Sequence, residues 1–348
     1  MSFRFPLLAS LSLAAVAVLR LGGADLPADG AATRDAFLHL IDRPRVPPSP
    51  STEPAEHDRG LLRIAFSYAS DAASRVPGLL VKADAPAAGR RPVVIALHGT
   101  GGKKEGELPL LEDLARAGFV AVAIDAPWHG ARAPDGKSSY ADAILRTFRT
   151  GRGHPFFYDT VWDVMRLIDY LATRDDVDAA RIGLFGVSKG GIETYLTAAV
   201  DPRVAVAVPC IGVESFRWAI EHDSWQSRIG TIQTAFDRAA QDEGVAQPGA
   251  AFVRTFYARV APGLDGRFDG PAMVPLIAPR PLLSINGDSD PRTPAAGLAE
   301  CVEAARQAYA ARDATPQFVL YLEPHTAHRV TPEATQAAEA WFIRWLKP

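Results

Sequence analysis

The sequence predicts an α/β protein built on a doubly wound, mostly parallel sheet, and three observations carry that prediction. From about residue 93 onward, short apolar runs alternate with segments of helical spacing, the pattern of strands joined by crossover helices. The runs Val93 to Leu97 and Phe119 to Ile124 are apolar at every position, as strands covered on both faces require. With 348 residues, 48% hydrophobic and 22% charged, the chain can bury one large core.

The chain opens on Arg4, an apolar run from Phe5 to Val18, and Gly22-Gly23-Ala24. This is the form of a secretory signal over residues 1–24, too short to span a membrane comfortably. The expectation is an exported, periplasmic or extracellular protein without a membrane span in the mature chain; a cytoplasmic location is the alternative. Residues 25–59 read as an accessory segment, with a short helix over Thr33 to Leu40. Pro44, Pro47, Pro48, Pro50 and Pro54 then make an extended connector.

The main domain is expected over 60–348. Leu61 to Tyr68 and Val76 to Ala83 predict an opening antiparallel hairpin that turns at Asp71 to Ser74. The two buried strands follow, separated by a helix over Leu108 to Ala117, and Pro127 to Ser139 reads as a loop. Asp159 to Thr173 has its apolar residues at helical spacing, and Asp175 to Ala180 links it to the next strand. After a sixth strand, Val204 to Pro209, residues 212–280 are too long for a simple crossover. They predict a helical insertion over the sheet's carboxyl edge, with helices at Arg217 to Glu221, Ile229 to Asp242 and Ala250 to Val260. Strands at Pro281 to Asn286 and Phe318 to Leu322, with a helix at Ala295 to Ala311 between them, precede a last helix that starts at Thr331-Pro332.

Charge and cysteines exclude several functions. A net charge of −3 without a long Lys/Arg run argues against nucleic-acid binding. Cys210 and Cys301 have no metal-ligand spacing and read as buried spectators. Leu97 stands where a P-loop needs its first glycine, and Gly99-x-Gly101-x-x-Lys104 completes no dinucleotide fingerprint. His325-x-x-His328 lacks a third metal ligand at recognisable spacing. Neither metal nor cofactor is expected.

The chemistry centres on Gly186-Val187-Ser188-Lys189-Gly190, which fits a nucleophile elbow between a strand and a helix. A serine hydroxyl needs a base held by a carboxylate, and in a parallel sheet these groups gather at the carboxyl ends of strands. Asp288 and Asp290 follow one later strand, and His325 and His328 follow the last, in the order Ser…Asp…His. Position alone leaves both pairs open. The backbone N–H groups of Lys189 and Thr100 are the candidate oxyanion donors. Candidate substrate contacts are His98 and Gly99, Trp128 and His129 on the next loop, and Trp218 and Trp225 in the insertion. Phe216, Phe236, Phe252, Phe256 and Tyr257 could also line a pocket.

His98-Gly99, Gly186-x-Ser188-x-Gly190, Asp290-Pro291-x-x-Pro294 and His328 resemble the α/β-hydrolase superfamily over about Leu61 to Trp345. This resemblance implies Asp290 rather than Asp288, and His328, where the family's histidine loop enters its last helix, rather than His325. Val177-Asp178-x-x-Arg181-Ile182-Gly183 and Ala278-Pro279-Arg280-Pro281 are similar to its branch of dienelactone hydrolases, acetyl xylan esterases and prolyl-oligopeptidase-like peptidases. The resemblance implies a cofactor-free serine carboxylesterase that cleaves a small, acetyl-type ester through an acyl-enzyme on Ser188. Acyl-CoA thioesterase or acyltransferase activity, and a peptidase of the prolyl-oligopeptidase type, are the alternatives. A non-catalytic binding module on the same scaffold is a reading of a different class, which a complete triad opposes.

Overall fold

The computed structural model describes residues 30–86, 89–134 and 140–347. The signal segment expected over 1–24, the start of the accessory segment and residues 135–139 lie outside the described residues. The accessory segment contributes a helix, α1 (Gly30–Ile41), and two short strands, β1 (Ser51–Thr52) and β2 (Glu56–Asp58). Both strands pair antiparallel with the first hairpin strand, β3 (Leu61–Ala69), Ser51 opposite Ser67 and Glu56 opposite Arg63. The connector is extended, as its prolines require. Its pairing was not legible because the partner edge exists only in the folded hairpin.

The remaining elements are β4 (Arg75–Ala83), β5 (Arg91–Leu97), α2 (Leu108–Arg116), β6 (Val120–Ile124), α3 (Tyr140–Thr150), α4 (Tyr158–Leu171), β7 (Val177–Val187), α5 (Lys189–Val200) and β8 (Val204–Cys210). There follow α6 (Phe216–Glu221), α7 (Gln226–Ile229), α8 (Gln233–Asp242), α9 (Ala250–Val260), α10 (Gly270–Met273), β9 (Leu282–Gly287), α11 (Ala295–Ala310), β10 (Phe318–Glu323) and α12 (Pro332–Leu346). The sheet order is β1-β3-β4-β6-β5-β7-β8-β9-β10, with β2 also on β3. β4 meets β6 antiparallel, and every pairing from β6 through β10 is parallel.

Strand alternation divides the interior into two cores. Val93, Ile95 and Leu97 of β5 enter one, with α1, α4, α5 and the insertion; Val94 and Ala96 enter the other, under α2 and α12. This two-sided cover explains why the central strands read as unbroken apolar runs.

Three local expectations are corrected. Residues 140–150, left outside any element by the sequence reading, form α3, whose buried Tyr140, Ile144 and Phe148 recur at helical spacing. The single helix expected over Ile229 to Asp242 is two, α7 and α8, broken at Gly230-Thr231-Ile232 by a glycine and two β-branched residues. The link expected at Asp175 to Ala180 is already strand: Val177 pairs with Arg91, and the register shifts before Ile182.

Candidate active site

β7 ends where Ser188 turns the chain into α5, and the turn is strained: Ser188 has φ 55° and ψ −111°. Two glycines make it possible. A Cβ on Gly186 would lie 2.2 Å from the Gly190 carbonyl oxygen, and one on Gly190 would lie 2.2 Å from that of Leu97. The Ser188 N–H donates to the Cys210 carbonyl at 2.9 Å, so the serine is tied to the end of β8. Its backbone turn leads straight into the α5 N-terminus, whose dipole favours an anion there.

His328 brings the base. Its Nε2 lies 2.8 Å from Ser188 Oγ, and its Nδ1 lies 2.8 and 3.0 Å from the two carboxylate oxygens of Asp290. A carboxylate only accepts, so Nδ1 carries the proton and Nε2 is left to accept from the serine hydroxyl. Asp290 is 5% exposed. Burial acts to raise its pKa, but the hydrogen bonds from His328 and from the Arg292 N–H outweigh it and hold the carboxyl below its usual value.

The members not in this chain of hydrogen bonds have another use. Asp288 is exposed and accepts from the Ser289 hydroxyl at 2.7 Å. That bond, with backbone N–H groups of His325 and Thr326, keeps its carboxyl low and ties the acid loop to the histidine loop. The backbone does the same, with Asp288 N–H on the Glu323 carbonyl at 2.9 Å and Ser289 N–H on that of Thr326 at 3.1 Å. His325 sits at φ 52° within that turn.

On the opposite side, Gly99 packs against the nucleophile. A Cβ there would lie 3.3 Å from the Val187 carbonyl oxygen and 3.7 Å from Ser188 Cβ. Thr100 is exposed beside it. This loop is anchored by Asp125, which has no exposed surface. Asp125 accepts from the Lys104 N–H and ammonium, each at 2.8 Å, and from the Ala131 N–H at 2.9 Å.

His98 and His129 are each 2% exposed and brace this loop from beneath. His98 Nε2 accepts from the Ala126 N–H at 3.1 Å while Nδ1 donates to the Gly99 carbonyl, as a neutral imidazole does. Burial, and then the Lys189 ammonium, push His98 down to about 4 and His129 to about 3. Expected as substrate contacts, both rings are instead placed by the structure within the loop, where burial keeps them neutral. Trp128 is half-buried with φ 64°, and Arg146 stacks on its ring at 4.9 Å. The Lys189 side chain turns inward, to Glu193 and Thr160.

The aromatics of the insertion are corrected likewise. Phe216, Phe236, Phe252, Phe256 and Tyr257 are buried in the hydrophobic core, where they pack on one another and on the main domain. The half-buried Trp218 stacks on His222 at 4.3 Å and packs on Gly297 of α11; Trp225 donates to Asp223 and packs on Phe236. Their contacts are with the insertion and α11. Asp125, Lys104, Glu214 and Arg228 were missed by sequence reasoning, because a charge that works inside a core has the same letters as one in solvent. Among the described residues no cluster of three or more His, Cys, Asp or Glu could hold a metal, and no helix is long and apolar enough to cross a membrane.

Fold and strand-end geometry define the α/β-hydrolase class. Comparison with known proteins is consistent with this. The model of the family described as "Glucuronyl esterase, fungi" matches residues 78–312, more than half of the chain. "Putative hydrolase YtaP" of Bacillus subtilis is 26% identical over 268 residues, 73% of this chain and 79% of that protein. Among solved structures, the acetyl xylan esterase from Paenibacillus sp. R4 superposes with a TM-score of 0.63 at 19% identity, over 93% of this chain and 96% of its own. Methylesterase BT1017 does so at 0.64 and 18% identity over 90% of this chain, which spans only 63% of that longer protein. At such identities the structures show a shared fold. The chain belongs to the glucuronyl esterase family of α/β-hydrolases and is an esterase, a hydrolase of carboxylic esters.

Proposed function

We propose that the chain hydrolyses a carbohydrate-borne ester of a small, acetyl-type acid through an acyl-enzyme on Ser188. The observation that carries this reading is the continuous hydrogen-bonded line Ser188–His328–Asp290 at the ends of β7, β9 and β10. His328 takes the serine proton as Oγ attacks the carbonyl carbon, and Asp290 stabilises the imidazolium that forms. The Lys189 N–H, at the start of α5, and the Thr100 N–H, on the loop against Ser188, receive the charge on the carbonyl oxygen. His328 then returns its proton to the leaving alcohol. Water, deprotonated by the same imidazole, hydrolyses the acyl-enzyme.

The carbohydrate is supported by the acetyl xylan esterase neighbour and the family match. That match also favours a second reading, in which the sugar is the acyl part, as in a glucuronate ester. Export with cleavage after about Ala24 fits a polysaccharide substrate, and fractionation of expressing cells tests it.

The decisive experiment pairs Ser188→Ala with a substrate panel: acetylated xylo-oligosaccharides, a methyl glucuronate ester, and short- and long-chain acyl-CoA. Wild type is expected to release acetate fastest, and Ser188→Ala to lose about 10⁶-fold in kcat together with fluorophosphonate labelling. Labelling that persists at another residue overturns the nucleophile, and a preference for long-chain acyl-CoA overturns the substrate class.

A further inference from the structure

Glu214 and Arg228 form a buried ion pair outside the triad, with side chains 0% and 4% exposed. Glu214 lies in the turn leaving β8, and Arg228 in α7 of the insertion. Arg228 Nε donates to Glu214 Oε1 at 2.5 Å, and its Nη2 donates to Thr293 Oγ1 at 2.9 Å and to the Ile211 carbonyl at 3.4 Å.

One of these acceptors, Thr293, lies on the loop that carries the acid, and the other, Ile211, lies at the end of β8, against the nucleophile. Thr293 is three residues past Asp290, and its N–H donates to the Asp290 carbonyl at 3.3 Å. Ile211 follows Cys210, whose carbonyl holds the Ser188 N–H, and its own N–H donates to the Ile285 carbonyl in β9 at 2.7 Å. Ile211 has φ 47°, a left-handed conformation that a β-branched residue adopts only under constraint. One guanidinium thus joins the strand end behind the nucleophile to the loop that carries the acid.

Apolar residues could fill this volume at no loss of stability, since a buried pair must first repay the desolvation of two charges. Its distinctive contribution is direction: the planar fork fixes where its acceptors lie. We propose that Arg228, held in place by Glu214, is a positioning residue that sets Asp290, and through it His328, relative to Ser188. The other charged groups at the pair are Asp290 and Asp269. Asp269 is occupied by the Phe216, Arg217 and Gly270 N–H groups and the Ser215 hydroxyl, which leaves the Arg228 fork to Glu214 and the acid loop. The proposal rests on the triad reading above.

Two variants test it. Thr293→Val keeps the ion pair and the side-chain shape but removes the link to the acid loop. It is expected to lower kcat about tenfold with KM unchanged. The double replacement Glu214→Leu/Arg228→Met removes both charges together. It is expected to melt at or near the wild-type temperature yet lose about 100-fold in kcat, the scale of a misplacement of about 1 Å. Wild-type kcat in Thr293→Val, or in a double variant of wild-type melting temperature, overturns the proposal. Ser188→Ala separates the two claims: activity surviving there defeats the triad reading, whereas its loss beside unaffected Thr293→Val kinetics defeats only the role of Arg228.

Discussion

The two loops that flank Ser188 are built on opposite electrostatic principles. On the acid side, Asp290 is surrounded by donors and kept below its ordinary pKa, so the charge itself is what the fold preserves. On the glycine side, the surface turned to Ser188 is backbone, and the charges lie behind it: Asp125 and Lys104 anchor the loop from within. Farther along that loop, Glu107 has no such donors, and burial alone pushes it up to about 7. One loop presents a side chain and needs its ionisation; the other presents amides and needs only to stay in place.

Substitutions that tell a charge from an anchor sharpen this contrast, and the largest effect belongs to the acid side. Asp290→Asn is expected to lower kcat about 10⁴-fold, because the neutral amide no longer selects the Nδ1–H tautomer of His328. Asp288→Asn, two residues away on the exposed face, is expected to stay within about twofold. Steady-state kinetics of the two variants side by side would break the assignment if their order were reversed.

Next is the anchor. Asp125→Asn takes away the buried anion of Lys104 and leaves its ammonium only the exposed Glu105, so thermal or urea unfolding is expected to show a loss of about 2–3 kcal/mol, short of that for a fully unpaired buried charge. If the loop's function is placement, kcat should fall with stability, and no loss of either would show that the loop is held by other contacts.

The smallest effect is a pH dependence. Glu107 in the folded chain titrates near 7 against an unfolded value of 4.5. Its contribution to stability is therefore complete below about pH 4.5 and is lost as pH rises to about 7. Asp290 behaves oppositely, since its folded pKa is below 3.8 and its contribution is lost only as pH falls below that value. Glu107→Gln is expected to gain melting temperature relative to wild type between pH 4.5 and 7 and to hold that gain above. A gain that does not vary with pH would remove burial of the carboxyl as its cause.

Much of the site was legible before any coordinates. Glycines at 186 and 190, and acids and histidines at later strand ends, mark a backbone geometry that few residue types can form. Asp290 and Asp288 could not be separated so firmly, since which of two neighbouring carboxylates faces an imidazole depends on how two loops from different strands cross. The aromatics of the insertion misled for a related reason: a large ring fits a pocket and a core equally well, and only the neighbours decide.

The order of strands and helices, the elbow and the chemistry at its tip were determined by local sequence. Apolar period, glycine sterics and helix caps act over a few residues and do not depend on the rest of the chain. The tertiary structure decided which charges are buried and what they hold. Asp125 beneath the glycine loop and Arg228 behind the acid loop join residues 21 and 65 positions apart. No local pattern reports such pairs, because the desolvation that gives them their meaning arises only when the whole fold closes over them.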